Sequence, residues 1–268
     1  MTTLEVPGAV LHYQVRGSGP LLLISQSGEG DADRSTDLVD QIAGNYTVLT
    51  YDRRGLSRSK VGAGGATIAD HADDVHRLLL EVTDEPVVML GCSLGAVIGM
   101  HLAVRHPEQL ATLVAHEPIA PWLLPDAVAK AHRAELDTIR AAYLADGLQA
   151  AIPQLVRTLG IDAASAATEP GLTQFPMDAQ RIANFDYFIR HDFAAAAQDD
   201  LDVDKLATAR TRIVPATGTT TPRTVFDYQC AEALAALRGQ ELSIFPGGHN
   251  GNLSHSRAYA RRLREVLG

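Results

Sequence analysis

The sequence predicts an α/β fold: a mostly parallel sheet with helices on both faces and a helical stretch inserted between two strands. Three observations lead there. Strand-like and helix-like segments alternate through residues 1–118 and again through 201–268, the rhythm of successive βα units. Two short runs, Leu21-Leu22-Leu23-Ile24 and Val87-Val88-Met89-Leu90, are apolar throughout, as strands covered on both faces must be. From about 119 to 200 the pattern is helical with no strand, broken at Pro121, Pro125, Pro153, Pro170-Gly171 and Pro176. The expected division is a core of 1–118 and 201–268 with a helical cap, 119–200, over the carboxyl edge of the sheet.

The elements follow in order. Residues 9–16 alternate like an edge strand and close at Gly17-Ser18-Gly19-Pro20. Strand 21–24 leads through a Gly-rich loop into a helix at about 35–43, then strand 46–51 runs into Asp52-Arg53-Arg54-Gly55. Helix 67–82 keeps Ile68, Ala72, Val75, Leu79 and Val82 on one face. Thr67 is its N-cap, with Asp70 in a capping-box position. Strand 87–90, helix 94–106 and strand 110–115 come next, the last ending in His116-Glu117-Pro118. The sheet resumes at 212–216, followed by helix 224–238, strand 241–245, Gly247-Gly248-His249 and a terminal helix at 256–267.

Composition narrows the function. The chain has 268 residues, 46% of them hydrophobic and 21% charged, which suits one large globular domain with a sizeable core. A net charge of −9 without a basic stripe argues against a nucleic-acid partner. Arg257, Arg261, Arg262 and Arg264 read as a solvated face of the last helix, favourable near its C-terminus. Cys92 and Cys230 are too few for a disulfide framework. No apolar stretch reaches membrane-spanning length, and Met1-Thr2-Thr3-Leu4-Glu5 lacks the pattern of a secretory leader. A cytoplasmic location without a membrane partner is expected, with the oligomeric state open between monomer and homodimer.

The chemistry centres on Gly91-Cys92-Ser93-Leu94-Gly95. A G-x-S-x-G between a buried strand and a helix is the pattern of a nucleophile elbow, in which a tight turn exposes the serine hydroxyl. Serine is a poor nucleophile at neutral pH and needs a base beside it. Among ten histidines, His249 alone directly follows the final strand and fits that base. His12, His71, His76, His101 and His106 read as structural, while His132, His191 and His255 carry weaker claims. The base in turn needs an acid to fix its tautomer. The loop 217–222, where the acid is usual, contains no carboxylate. Glu117, at the end of the strand beside the elbow strand, is the preferred acid, and Asp227, inside the next helix, is the alternative. The order Ser93, Glu117, His249 is the chain order expected for this architecture.

An oxyanion hole is the remaining requirement. One donor is expected to be the N–H of Leu94, the other that of Ser27 or Gly28 in the loop after strand 21–24. Gln26 in the same loop, with Trp122, Phe185 and Phe188 from the helical stretch, are candidate pocket residues. No phosphate-binding P-loop spacing is present.

The elbow at Ser93, the Gly248-His249 pair, the segment Tyr51-Asp52-Arg53-Arg54-Gly55-Leu56-Ser57-Arg58-Ser59 and the inserted helices together resemble the α/β-hydrolase superfamily over essentially the whole chain. His116-Glu117-Pro118 with the acid-free loop 217–222 is similar to the subset that includes zearalenone lactonase, whose acid follows the strand after the elbow. The chain departs from the family at Ser25-Gln26, where a His-Gly pair is common. The resemblance implies a serine hydrolase that cleaves a small-molecule carboxylic ester or lactone through an acyl-enzyme on Ser93, with no metal and no organic cofactor. The alternatives are carbon–carbon bond hydrolysis or another cofactor-free reaction in the same pocket, and a non-catalytic small-molecule binding protein. Epoxide hydrolase and haloalkane dehalogenase chemistry would call for an aspartate where Ser93 stands.

Overall fold

The computed structural model describes residues 2–62, 64–161 and 168–268. Nine strands form one sheet: β1 (Thr2–Val6), β2 (Ala9–Gly17), β3 (Leu21–Ser25), β4 (Thr47–Tyr51), β5 (Lys60–Val61), β6 (Val87–Cys92), β7 (Leu110–His116), β8 (Arg212–Gly218) and β9 (Ser243–Phe245). The order is β1-β2-β4-β3-β6-β7-β8-β9, with β5 paired to β2. β2 pairs antiparallel with β1, β4 and β5, and the pairs from β4 through β9 are parallel. The expectation of an edge strand at 9–16 fails because β1, whose side chains are mostly exposed, pairs outside it.

Parallel strands alternate their side chains between two apolar layers. Leu22, Ile24, Leu90, Cys92, Val114 and Val214 meet one layer with Leu38, Tyr259 and Leu263. Leu23, Met89, Leu113 and Ile213 meet the other with Val75, Leu79, Val97 and Leu234. The first layer is closed by α1 (Thr36–Ile42) and α11 (Ser256–Leu267), the second by α2 (Ile68–Val82), α3 (Leu94–Arg105) and α9 (Phe226–Arg238). Both faces are thus covered, which is why β3 is apolar over Leu21–Ile24 and β6 over Val87–Leu90. At α2 the expected cap is present: Thr67 Oγ1 accepts from Asp70 N–H at 3.1 Å and Thr67 N–H donates to Asp70 Oδ2 at 2.8 Å.

The helical stretch between β7 and β8 contains α4 (Asp126–Asp146), α5 (Leu148–Thr158), α6 (Ala179–Tyr187), a π-helical turn at Phe188–Asp192, α7 (Phe193–Gln198) and α8 (Val203–Ala207). No strand occurs there among the described residues, and residues 162–167 lie outside them. A short helix, α10 (Gly251–Ser254), precedes α11. No described helix is long and apolar enough to cross a membrane.

Buried polar ties join this stretch to the sheet. Arg53, only 1% exposed, donates from Nε and Nη2 to Asp192 Oδ2 at 3.0 and 2.8 Å. His71 Nε2 lies 3.4 Å from the other oxygen of Asp192. Asn184 accepts from Ser57 N–H at 2.8 Å and donates to Ser57 Oγ at 2.8 Å. Asp199 accepts from Trp122 Nε1 at 2.8 Å and from His101 Nε2 at 2.9 Å. The Asp52-Arg53-Arg54 segment is a bracing network throughout: Asp52 takes Arg58, and Arg54 takes Asp74.

Removing one partner of a buried pair leaves the other charged and desolvated. Arg53→Leu is therefore expected to lower unfolding free energy in urea by about 3–5 kcal/mol, and the Arg53→Leu/Asp192→Leu double variant to recover part of that loss. Equal losses in both would show that the pair is not what holds the two parts together.

Candidate active site

Strand register brings the candidate residues to one edge. Ser25 pairs with Gly91, Cys92 with His116, His116 with Ala216, and Gly218 with Phe245. The residues that follow these strands, 26–28, Ser93, Glu117, 219–222 and 246–249, therefore emerge together at the carboxyl edge. Between β3 and β6 the strand order reverses direction, the place where α/β sheets open a crevice for ligands.

Ser93 sits in the elbow between β6 and α3 with φ +55° and ψ −116°, a region that costs a non-glycine residue about 1–3 kcal/mol. Its N–H donates to His116 O at 2.8 Å, which prolongs the β6–β7 ladder by one residue. The flanking glycines are steric necessities. A Cβ on Gly91 would lie 2.6 Å from Gly95 O, and one on Gly95 would lie 2.0 Å from Ser25 O. Ser93 Oγ makes no hydrogen bond to a described side chain. Such contacts commonly tighten only with substrate in place.

Glu117 repeats the pattern one strand over. Its φ is +46° and its N–H donates to Ala216 O at 2.9 Å. Oε1 accepts from Thr217 Oγ1 and Gly218 N–H, both at 2.7 Å, and Oε2 lies 2.8 Å from His249 Nδ1. Asp227 Oδ2 lies 2.5 Å from the same Nδ1. Asp227, the alternative acid, does lie inside the next helix and is also within reach of the base. It falls in the first turn of α9, and that turn abuts the carboxyl edge of the sheet. His249, Glu117 and Asp227 are all buried, with both carboxylates 0% exposed.

The electrostatics follow from that crowding. Burial alone would raise the Glu117 pKa. The hydrogen bond from His249 and the charges of His116 and His249 outweigh it and hold the carboxyl well below the usual range. Asp227 lacks donors of good geometry among the described residues. Burial pushes it up to about 6, opposed by His249 and reinforced by Glu117. For His249, burial acts to lower the pKa, but Asp227 and then Glu117 raise it to about 10. Groups coupled this closely exchange protons as a unit: the ring is most basic when both carboxylates are charged, and a proton on Asp227 makes it a freer base. With Nδ1 committed to the carboxylates, Nε2 is the nitrogen left for the cavity.

Peptide geometry orients the loop after β3. Arg53 Nη1 donates to Gln26 O at 3.3 Å and Ser27 O at 3.0 Å, and Nη2 donates to Gly28 O at 2.8 Å. In trans peptides the next N–H points opposite to each carbonyl, so Ser27 and Gly28 N–H face away from Arg53. Neither has an acceptor among the described residues. Leu94 opens α3, where the first N–H groups lack helical partners. A side chain at Gly28 would strike the Phe188 ring at 2.4 Å.

Ser93 and His249 line one cavity of about 470 Å³ together with Ser27, Gly28, Phe185 and Phe188. Two expected pocket residues do not belong to its wall. Gln26 is buried beneath the loop, donating to Ser35 Oγ at 2.5 Å and accepting from Asn252 at 3.0 Å. Trp122 turns its indole N–H to Asp199 instead. The rest of the wall is mostly apolar, with Leu155, Leu159, Leu172, Phe175 and Leu253. A cluster missed in the sequence, Glu29, Arg34 and Arg181, also faces it.

Among the described residues, two groupings bring His and carboxylate atoms within metal-ligating reach of one another, Glu117-Asp227-His249 and His76-His106-Glu108. In the first, Nδ1 faces carboxylates at hydrogen-bond distance and reads as an acid–base cluster. In the second, the two imidazoles stack at 3.6 Å rather than converge on a point.

Comparison with known proteins agrees with this architecture. A hydrolase of Bacillus subtilis (strain 168), YraK, described as uncharacterized, is 36% identical over 99% of this chain and 95% of its own. A hydrolase from Pseudomonas aeruginosa PA01 superposes with a TM-score of 0.75 at 25% identity, over 100% of this chain and 98% of that one. A thermophilic esterase from Thermogutta terrifontis gives 0.76 at 17% identity over 100% and 98%, a likeness of fold. The family model for the alpha/beta hydrolase fold matches residues 20–212, and with strand order, elbow and relatives in agreement, the chain belongs to the α/β-hydrolase family and is a hydrolase.

Proposed function

We propose that this hydrolase cleaves a carboxylic ester or lactone through an acyl-enzyme on Ser93, with His249 as base and Glu117 as the acid that orients it. The observation that carries the reading is the strained Ser93 on the wall of a cavity shared with His249, whose Nδ1 is held by buried carboxylates.

Ser93 Oγ attacks the scissile carbonyl while His249 Nε2 takes its proton. The carbonyl oxygen becomes an oxyanion, held by the N–H groups of Leu94 and of Ser27 or Gly28. Donors of this kind contribute about 10²–10³ in rate each. Collapse breaks the bond to the alkoxide, which receives the proton from His249. In a lactone that alcohol stays tethered to the acyl group. Water then gives its proton to His249, attacks the ester and releases the acid, returning the proton to Ser93. Glu117 accepts from Nδ1 throughout and stabilises the imidazolium.

Three outcomes are expected. A fluorophosphonate probe labels the wild-type chain and not Ser93→Ala; absence of labelling and of turnover across an ester and lactone panel would sink the reading. Glu117→Gln lowers kcat by about 10⁴. Asp227→Asn removes a negative charge that raises the His249 pKa. The neutral ring then forms at lower pH, and the ascending limb of the kcat/KM profile moves down by about one pH unit or more. If Asp227→Asn costs the larger part of kcat and Glu117→Gln only shifts the limb, the two roles are exchanged.

A further inference from the structure

Besides His249, four charged side chains among the described residues line the cavity that contains Ser93: Glu29, Arg34, Asp37 and Arg181. Three of them are satisfied. Asp37 accepts from Thr173 N–H and Oγ1, both at 2.9 Å. Arg181 grips Glu29 with two bonds, Nε to Oε2 at 2.7 Å and Nη2 to Oε1 at 2.9 Å, and donates from Nη1 to Phe175 O at 2.6 Å.

Arg34 is different. Its side chain is 14% exposed, and its nearest carboxylate oxygen is Glu29 Oε1, 3.4 Å from Nη2 and already held by Arg181. Nε is enclosed with no acceptor among the described residues. Arginine carries five N–H donors, and here none makes a hydrogen bond of ordinary length to a described side chain. The guanidinium carbon rests 4.4 Å over the Phe175 ring, which supports the group from one side. Two guanidinium groups thus share one carboxylate. Burying a cation with only a long, shared contact to a carboxylate is costly, and burial accordingly lowers its pKa, opposed by Glu29.

We propose that Arg34 is a carboxylate-binding subsite of the substrate cavity: the substrate is an ester or lactone that also carries a free carboxylate, joined to the scissile group by an apolar chain. The inference rests on the proposed hydrolysis at Ser93 for the identity of the scissile group. A planar fork of N–H donors matches a carboxylate with two parallel bonds. Leu155, Leu159 and Leu172 on the same wall suit the connecting chain.

The test uses Ser93→Ala, in which no acyl-enzyme forms, with monomethyl adipate and dimethyl adipate titrated calorimetrically. Monomethyl adipate is expected to bind about tenfold or more tightly than its neutral counterpart, the scale of a charge-assisted pair. Adding Arg34→Met brings the ratio of the two affinities near one, and adding Arg34→Lys retains part of it. Equal affinities in Ser93→Ala, no binding of either compound, or a ratio that survives Arg34→Met would overturn the proposal. Because binding is read without turnover, these results are independent of the labelling and hydrolysis that test the reaction itself. Should Arg34→Met fail to fold, the comparison of the two ligands on Ser93→Ala and on its Arg34→Lys form still decides.

Discussion

The Arg53 guanidinium is the interaction on which the site's arrangement depends. All five of its N–H groups are spent, on Asp192 of the helical stretch and on the carbonyls of Gln26, Ser27 and Gly28. One side chain therefore fixes two things at once: where the helices sit over the sheet, and which way the peptides after β3 face. The loop begins Ser25-Gln26 and has no His-Gly pair. Gln26 is locked between Ser35 and Asn252, so the loop is held from below by one side chain and from the helical side by another. A full set of charge-assisted bonds makes a buried arginine tolerable, and Arg53 has that set. Arg34, partly buried at the cavity wall, does not.

The parallel ladder supplies the remaining precision. Hydrogen bonding continues one residue past β6 into Ser93 and one residue past β7 into Glu117. Each residue is thereby placed by its neighbouring strand rather than by a free loop. His249 is placed otherwise, by contact between its ring nitrogen and two carboxylates, one from the residue after β7 and one from α9. Glu117 is fastened by Thr217 and Gly218 and stays charged. Asp227 has no such donors, so its proton is the easier one to gain or lose.

Much of this geometry is legible in the sequence because it rests on local signals. A buried parallel strand reads as an apolar run, so Leu21–Ile24 and Val87–Leu90 stand out, and the glycines at 91 and 95 mark where backbone passes too close for a side chain. His249 and Glu117 follow from their places after strands. What stays hidden depends on distant partners. β1 and β5 are short and largely exposed, so no apolar run announces them. Asp227 looks like any helical carboxylate until α9 docks. Trp122 has the composition of a pocket residue, yet its indole N–H needs an acceptor, and Asp199 draws it away from the cavity. Arg181 joins Glu29 and Arg34 from far along the chain, and no spacing rule reaches across that interval.

Ser93 and Glu117 hold left-handed backbone angles on adjacent strands, and the surrounding ladder forces both. The folded chain therefore stores unrelieved energy at two positions central to the proposed chemistry. Substitutions that relax the backbone there would raise resistance to heat while removing the groups that the strain presents. Selection for thermal tolerance alone would pull this sequence toward an inert relative with the same fold, and an engineer seeking a hardier catalyst has to find stability elsewhere in the molecule.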